Sequence, residues 1–187
     1  MRNLSNNLLI SQTLVCWKMA RKIFILDTSI LCCWLRVPGK DTAGRDNNFW
    51  DFNRIDKLLT VETAHGSTFV LPIASLIETG NHIAQCNGNR FELATFLITH
   101  LRNTVGAASP WAAFTDQSPL WEPQNLQQLA DTWPGLAVGG TSIGDATIKH
   151  VADHYSKAGF QVEILTGDEG LKAYETKSPN QIPRRRS

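Results

Sequence analysis

The chain has 187 residues, 42% of them apolar and 9% aromatic, enough for one core without disulfide or metal staples, which excludes disordered and fibrous classes. Its 18 basic and 17 acidic residues leave a formal charge of +1, so any nucleic-acid contact has to be local rather than the work of a basic coat. Cys16, Cys32, Cys33 and Cys86 form no CxxC and no Cys/His spacing suited to zinc, and are read as reduced thiols of a cytoplasmic protein.

Residues 1–18 mix Asn, Ser and Gln with short apolar pieces. Leu8-Leu9-Ile10 is cut at once by Ser11-Gln12-Thr13, short of the roughly 7–15 apolar residues of a signal peptide. These residues are expected to be an extension, disordered or non-native, ahead of a natural start at Met19. No stretch approaches the roughly 20 apolar residues of a membrane span.

Lys22 to Leu26 is an apolar strand signal closed by Asp27-Thr28-Ser29. Ile30 to Val37 then predicts a short helix, ended by Pro38-Gly39-Lys40-Asp41. Phe49, Phe52, Ile55, Leu58 and Leu59 recur at helical steps and predict a helix over Asp46 to Leu59. After the break at His65-Gly66-Ser67, Thr68 to Leu71 is a short β-rich run. Pro72 suits the first turn of a helix, whose core stripe is expected at Ile73, Ile77, Gly80 and Ala84. Glu78 lies off that stripe, on a polar line with Asn81, His82 and Gln85.

A helix over Arg90 to Val105 follows. Gly106 to Pro123, with Pro110, Trp111, Pro119 and Trp121, reads as a loop holding a helical turn. Gln124 to Trp133 predicts a short helix and Gly135 to Val138 a strand. Ser142 is a good N-cap for a helix to Lys157 with Ile148, Val151, Ala152 and Tyr155 as its core face. Gly159 ends it, Gln161 to Thr166 is a strand, and Glu169 to Tyr174 a last helical turn. The basic tail over residues 177–187 carries Arg184-Arg185-Arg186. Strands alternating with helices predict an α/β fold, a three-layer α/β/α sandwich around a central, mostly parallel sheet, over residues 19–176.

Asp27 and Asp168 close two strand signals. In open parallel sheets ligands gather outside the carboxyl ends of the strands, and acids there hold hard cations. Glu78 and Asp145 complete a set of four. Taken singly, Asp145 is a helix cap or dipole partner, Glu78 a solvated polar residue and Asp168 a turn residue. Asp27 is harder to explain locally, because an acid at the end of a buried strand is disfavoured unless paired.

Together, the strand ending in Asp27-Thr28-Ser29, Glu78 within Pro72-Ile-Ala-Ser-Leu-Ile-Glu78, Ser142-Ile-Gly-Asp145-Ala-Thr-Ile148, and Ile164-Leu-Thr166-Gly-Asp168-Glu-Gly-Leu171 resemble the PIN domain over roughly Lys22 to Tyr174. The resemblance implies a metal-dependent ribonuclease, in many relatives the VapC-type toxin of a toxin–antitoxin pair. Asp27, Glu78, Asp145 and Asp168 then correspond to the family's catalytic, metal-holding acids, with Mg²⁺ or Mn²⁺ as cofactor. Ser29 and Thr166 are expected to position those carboxylates. RNA is the expected substrate, with Lys149, Lys172 and the Arg184 to Arg186 run as the nearest cations in sequence. An antitoxin and a homodimer are implied partners. The two longer intervals between the acids fit insertions around Pro38 to Asn48 and around Gly106 to Pro123.

Two other readings stand beside this one. A haloacid-dehalogenase-like phosphatase also places an Asp after its first strand, but has a second Asp where this chain has Ser29. A PIN-like module without catalysis, docking RNA or protein, is the other.

Overall fold

The computed structural model describes residues 22–174. The extension, the tail and Cys16 named above lie outside them. Three parallel strands, β1 (Lys22–Leu26), β4 (Thr68–Val70) and β5 (Gln161–Leu165), form the main sheet in the order β4-β1-β5. Ile25 is level with Val70 on one side and Ile164 on the other, so β1 is the central strand. Each of these strands is rich in the β-branched and aromatic residues that suit a pleated, buried surface.

Side-chain alternation along β1 separates two cores. Phe24 and Leu26 pack with Phe69 and Leu165 against α1 (Thr28–Trp34) and α2 (Phe52–Ala64), through Ile30, Leu31, Ile55 and Leu59. Ile23 and Ile25 face the other way and pack with Val162 and Ile164 against α6 (Ile143–Lys157), through Ile148, Val151, Ala152 and Tyr155. The fold is therefore α/β, with helices on both faces of a parallel sheet. A third cluster, with Cys32, Ile83, Cys86, Leu93 and Leu97, joins α1 to α3 (Ile73–Gln85) and α4 (Arg90–Val105). Among the described residues no helix is long and apolar enough to cross a membrane. Cys32, Cys33 and Cys86 are buried free thiols.

Three local expectations are corrected. The helix expected from Asp46 begins at Phe52, because Asp51 caps it by accepting from Arg54 N at 2.8 Å. Upstream, Thr42–Ala43 (β2) pairs antiparallel with Trp50–Asp51 (β3), with a 3₁₀ turn at Asp46–Asn48 between them. Phe49, counted toward the helix core, is 42% exposed.

The buried face of α3 is Ser75, Thr79 and Ile83, whereas Ile77 is 56% exposed. Small hydroxyl residues let α1 approach this face closely, which hydropathy alone does not register. The strand expected at Gly135 to Val138 is instead the end of α5 (Pro123–Val138), with Pro134 inside it. Those residues are exposed, so a strand there would have no sheet to join. The loop before α5 holds its expected helical turn as a 3₁₀ helix, Phe114–Trp121, and also pairs with the edge of β4, where Phe69 N donates to Pro110 O and Ala112 N to Phe69 O, both at 2.8 Å.

His100 on α4 lies between Trp34 and Trp111, with ring centroids 4.5 and 5.2 Å away. Its Nδ1 is buried without a hydrogen-bond partner, and burial lowers its pKa from 6.5. A folded-state pKa below the unfolded one means that stability is complete above pH 6.5 and falls as acid protonates the unfolded chain first. Thermal unfolding from pH 7.5 down to pH 5 should show this loss, and His100→Phe, which keeps a ring between the two indoles, should flatten it. An unchanged slope in the variant would remove His100 from the acid sensitivity.

Candidate functional site

The carboxyl end of the sheet opens into a cavity of about 520 Å³, and Asp27, Glu78, Asp145 and Asp168 all line it. They come from four separate places: the tip of β1, the middle of α3, the first turn of α6, and the N-cap of α7 (Glu169–Lys172).

Asp27 is fixed first. It ends β1, where its N–H donates to Leu165 O at 3.0 Å, and at the same residue it caps α1, so the chain turns from strand to helix across one carboxylate. Its Oδ2 accepts from Ser29 N at 3.3 Å, Ser29 Oγ at 2.7 Å and Thr166 Oγ1 at 2.8 Å. The same two hydroxyls reach the tip of β5. Ser29 Oγ accepts from Gly167 N and Thr166 Oγ1 from Asp168 N, both at 2.9 Å. Ser29 and Thr166 thus link the first acid to the last through hydrogen bonds.

Asp27 is 6% exposed. Burial raises its pKa, and the bonds from Ser29 and Thr166 offset this only in part. Among the described residues none of the four acids forms an ion pair with Lys, Arg or His. Cys32 also lines the cavity, but desolvation pushes its pKa up to about 11, so it is a thiol at neutral pH.

The other acids hold local bonds. Glu78 Oε2 accepts from Thr28 Oγ1 at 2.9 Å, bridging α3 to α1. Asp145 forms a reciprocal capping box with Ser142, its N–H donating to Ser142 Oγ at 2.9 Å and its Oδ2 accepting from Ser142 N at 3.3 Å. Asp168 Oδ1 accepts from Leu171 N at 2.8 Å. Asp145 therefore has the helix-terminus role of its ordinary reading, while Asp168, read as a turn residue, caps α7 instead; both line the shared cavity as well.

Close backbone approaches set two of the walls. A Cβ on Gly144 would stand 2.2 Å from Glu78 Oε1, so glycine there lets the carboxylate end of Glu78 rest against the start of α6, and a larger residue would push that end aside. A Cβ on Gly167 would meet Gly44 N at 2.4 Å, so the β2–β3 insertion lies directly on the tip of β5. That contact brings Lys40, Thr42 and Ala43 to the cavity wall.

Lys149 and Lys172, the cations nearest in sequence, do not line this cavity. Lys149 Nζ lies over the Tyr174 ring at 5.2 Å, and Lys172 pairs with Glu163 at 3.7 Å. Lys40, Thr28 and Thr42 line the cavity but were not singled out from the sequence, and His82, read as a surface residue on the polar line of α3, lines it too. His82 carried a signal, since it is one helical turn beyond Glu78. Lys40 carried none, because a contact between the insertion and the tip of β5 places it.

The donors suit a hard cation: carboxylates and hydroxyls, with the one lining thiol kept protonated. A buried, unpaired acid at Asp27 is the kind of group that such an ion would satisfy. As they stand, no three His, Cys, Asp or Glu side chains among the described residues are grouped closely enough to hold an ion. Asp145 is engaged through Oδ2 and Asp168 through Oδ1, which leaves each a second carboxylate oxygen.

Thr166→Val tests how the acids are linked. Thr166 is fully buried, and the change removes its donor to the buried Asp27 carboxylate and takes the acceptor from the Asp168 N–H. The expected loss is about 1–3 kcal/mol of stability in urea unfolding. Unchanged stability would show that neither bond matters to the fold. Comparison of the chain with family models, curated proteins and solved structures gives no match.

Proposed function

We propose that this chain is a PIN-like, metal-dependent endoribonuclease that hydrolyses RNA phosphodiester bonds. One observation supports the reading above the rest: four acids from distant parts of the sequence line one cavity at the carboxyl end of a parallel sheet. The resemblance extends the proposal to a cytoplasmic toxin with an antitoxin and a second copy as partners.

Asp27, Asp145 and Asp168 would hold Mg²⁺ or Mn²⁺, with Glu78 completing the set. The bound ion supplies the positive charge that lets an anionic phosphodiester approach and the Lewis acidity that activates a water. Ser29 and Thr166 keep Asp27 oriented by donating to one of its oxygens, so the other can turn to a cation without loss of position. Thr28 does the same for Glu78. Lys40 contributes fixed positive charge at the rim, where the substrate backbone would enter.

The absence of a ready three-acid grouping among the described residues favours a second reading, a PIN-like module that binds RNA or protein without cutting. One experiment separates the two: incubate a mixed RNA pool with the purified chain in Mn²⁺, in EDTA, and with Asp27→Asn or Asp145→Asn. The nuclease predicts cleavage that is lost in EDTA and in both variants. RNA retained but uncut in Mn²⁺ assigns the binding module, and metal-independent cutting overturns the mechanism.

A further inference from the structure

We propose that the apolar groove beside the acidic cavity is a nucleobase subsite, in which Trp121 stacks on a base of a single-stranded substrate; this rests on the nuclease reading and deepens it. The groove holds about 560 Å³ between α3, α5, α6 and the 3₁₀ helix, and Glu78 lines both it and the acidic cavity. Gly144 also lines the groove and has no side chain, which leaves room for the Glu78 carboxylate against α6. A nucleotide whose phosphate lay among the acids would therefore have its base next to the groove.

The lining suits an aromatic ring. Ile77 and Ile143, at 56% and 51% exposure, are large apolar side chains left open to solvent, which marks a binding surface when they occur together. Trp121 supplies a ring face. Among the described residues the other tryptophans are occupied: Trp34 and Trp111 pack on His100, Trp50 lies under the Arg54 guanidinium, and Trp133 donates to Thr141 O. Trp121 alone has no ring, cation or hydrogen-bond partner. At about 560 Å³ the groove has the size of a small-ligand pocket. Stacking on such a face tolerates any base, so the subsite would favour unpaired strands over a particular sequence.

The test uses ligands that have no phosphodiester to cut. Adenosine 5′-monophosphate and ribose 5-phosphate are titrated against the full chain in Mg²⁺, followed by NMR of the backbone and indole N–H signals. The expected result is about tenfold tighter binding of the nucleotide, with shifts at Ile77 and Trp121. Trp121→Ala and Ile77→Asn should each erase that preference and leave ribose 5-phosphate binding unchanged. Ile77 is exposed, so its variant controls for misfolding of the other. Equal affinity for the two ligands, or a preference that survives both variants, overturns the proposal. So does a dimer in sedimentation that Ile77→Asn dissolves, which would assign the groove to a second copy. RNA cleavage in Mn²⁺ is measured on the same samples: nucleotide preference without cleavage sinks the nuclease and keeps the subsite, and the reverse outcome does the opposite.

Discussion

Asp27→Asn is expected to lower RNA cleavage in Mn²⁺ by about 100-fold or more, at or beyond the upper end of what losing even an outer partner of a metal ligand costs. The same variant should melt a few degrees higher than the parent at pH 7. Both effects come from one fact: the carboxylate is 6% exposed and lacks a cationic partner, so burial raises its pKa. For an acid, a raised folded-state pKa means that the folded chain holds its proton longer than the unfolded chain. Stability then falls as pH rises from 3.8 through the folded value. Asparagine keeps an oxygen to accept from Ser29 and Thr166 but never carries the charge, so this penalty disappears. Activity assays and thermal melts on one preparation check the pair of effects. A variant that loses activity and also melts lower at pH 7 would mean that Asp27 holds the fold together as an ordinary cap.

Gly44→Ala should have the largest effect on stability, about 2–4 kcal/mol, through a left-handed backbone and a steric collision together. Gly44 has φ +69, and a Cβ there would stand 2.0 Å from Asn48 O and 3.2 Å from Gly167 Cα. Backbone on both sides leaves no flexible side chain to yield. For a chain of this size the melting temperature should drop by roughly 4–16 °C. The β2–β3 insertion would lift from the tip of β5 and take Lys40 with it, so substrate affinity should fall along with stability. Gly39→Ala is the control, since Gly39 also has a positive φ, +79, but meets nothing within 4 Å. Equal losses in the two variants would show that backbone conformation matters and the contact with Gly167 does not.

Much of the frame was legible because its determinants are local. The strands over residues 22–26 and 161–165 are short apolar runs with turn signals on both sides. The helix after Ser142 carries its own cap, and Ile148, Val151, Ala152 and Tyr155 are all buried as its periodicity requires. Arg90–Val105 begins after a capping Asn89 and stops at Gly106. The misjudged parts depend on tertiary packing. Ser75 and Thr79 are wholly buried because α1 approaches there, and that turned Ile77 outward into a groove whose existence no hydropathy pattern announces. The insertion after Pro38 could be recognised as an insertion, yet its position over β5 rests on Gly44 meeting Gly167.

The four acids were legible as candidates, and the cavity they share is present. Their orientation was not, because hydrogen bonds of a few ångströms to Thr28, Ser142 and Leu171 set it. Lys149 and Lys172 show the opposite error, in which closeness in sequence stood in for closeness in space.

The central place of β1 also bears on how the protein comes into being. Its first acid leaves the ribosome early, but the hydroxyl that orients it, Thr166, and its last companion, Asp168, lie 139 and 141 residues further along. The cavity closes only when β5 slots in beside β1. A chain interrupted before that strand carries Asp27 but neither Thr166 nor Asp168, so the four-acid cavity exists only once the last strand has taken its place beside the first.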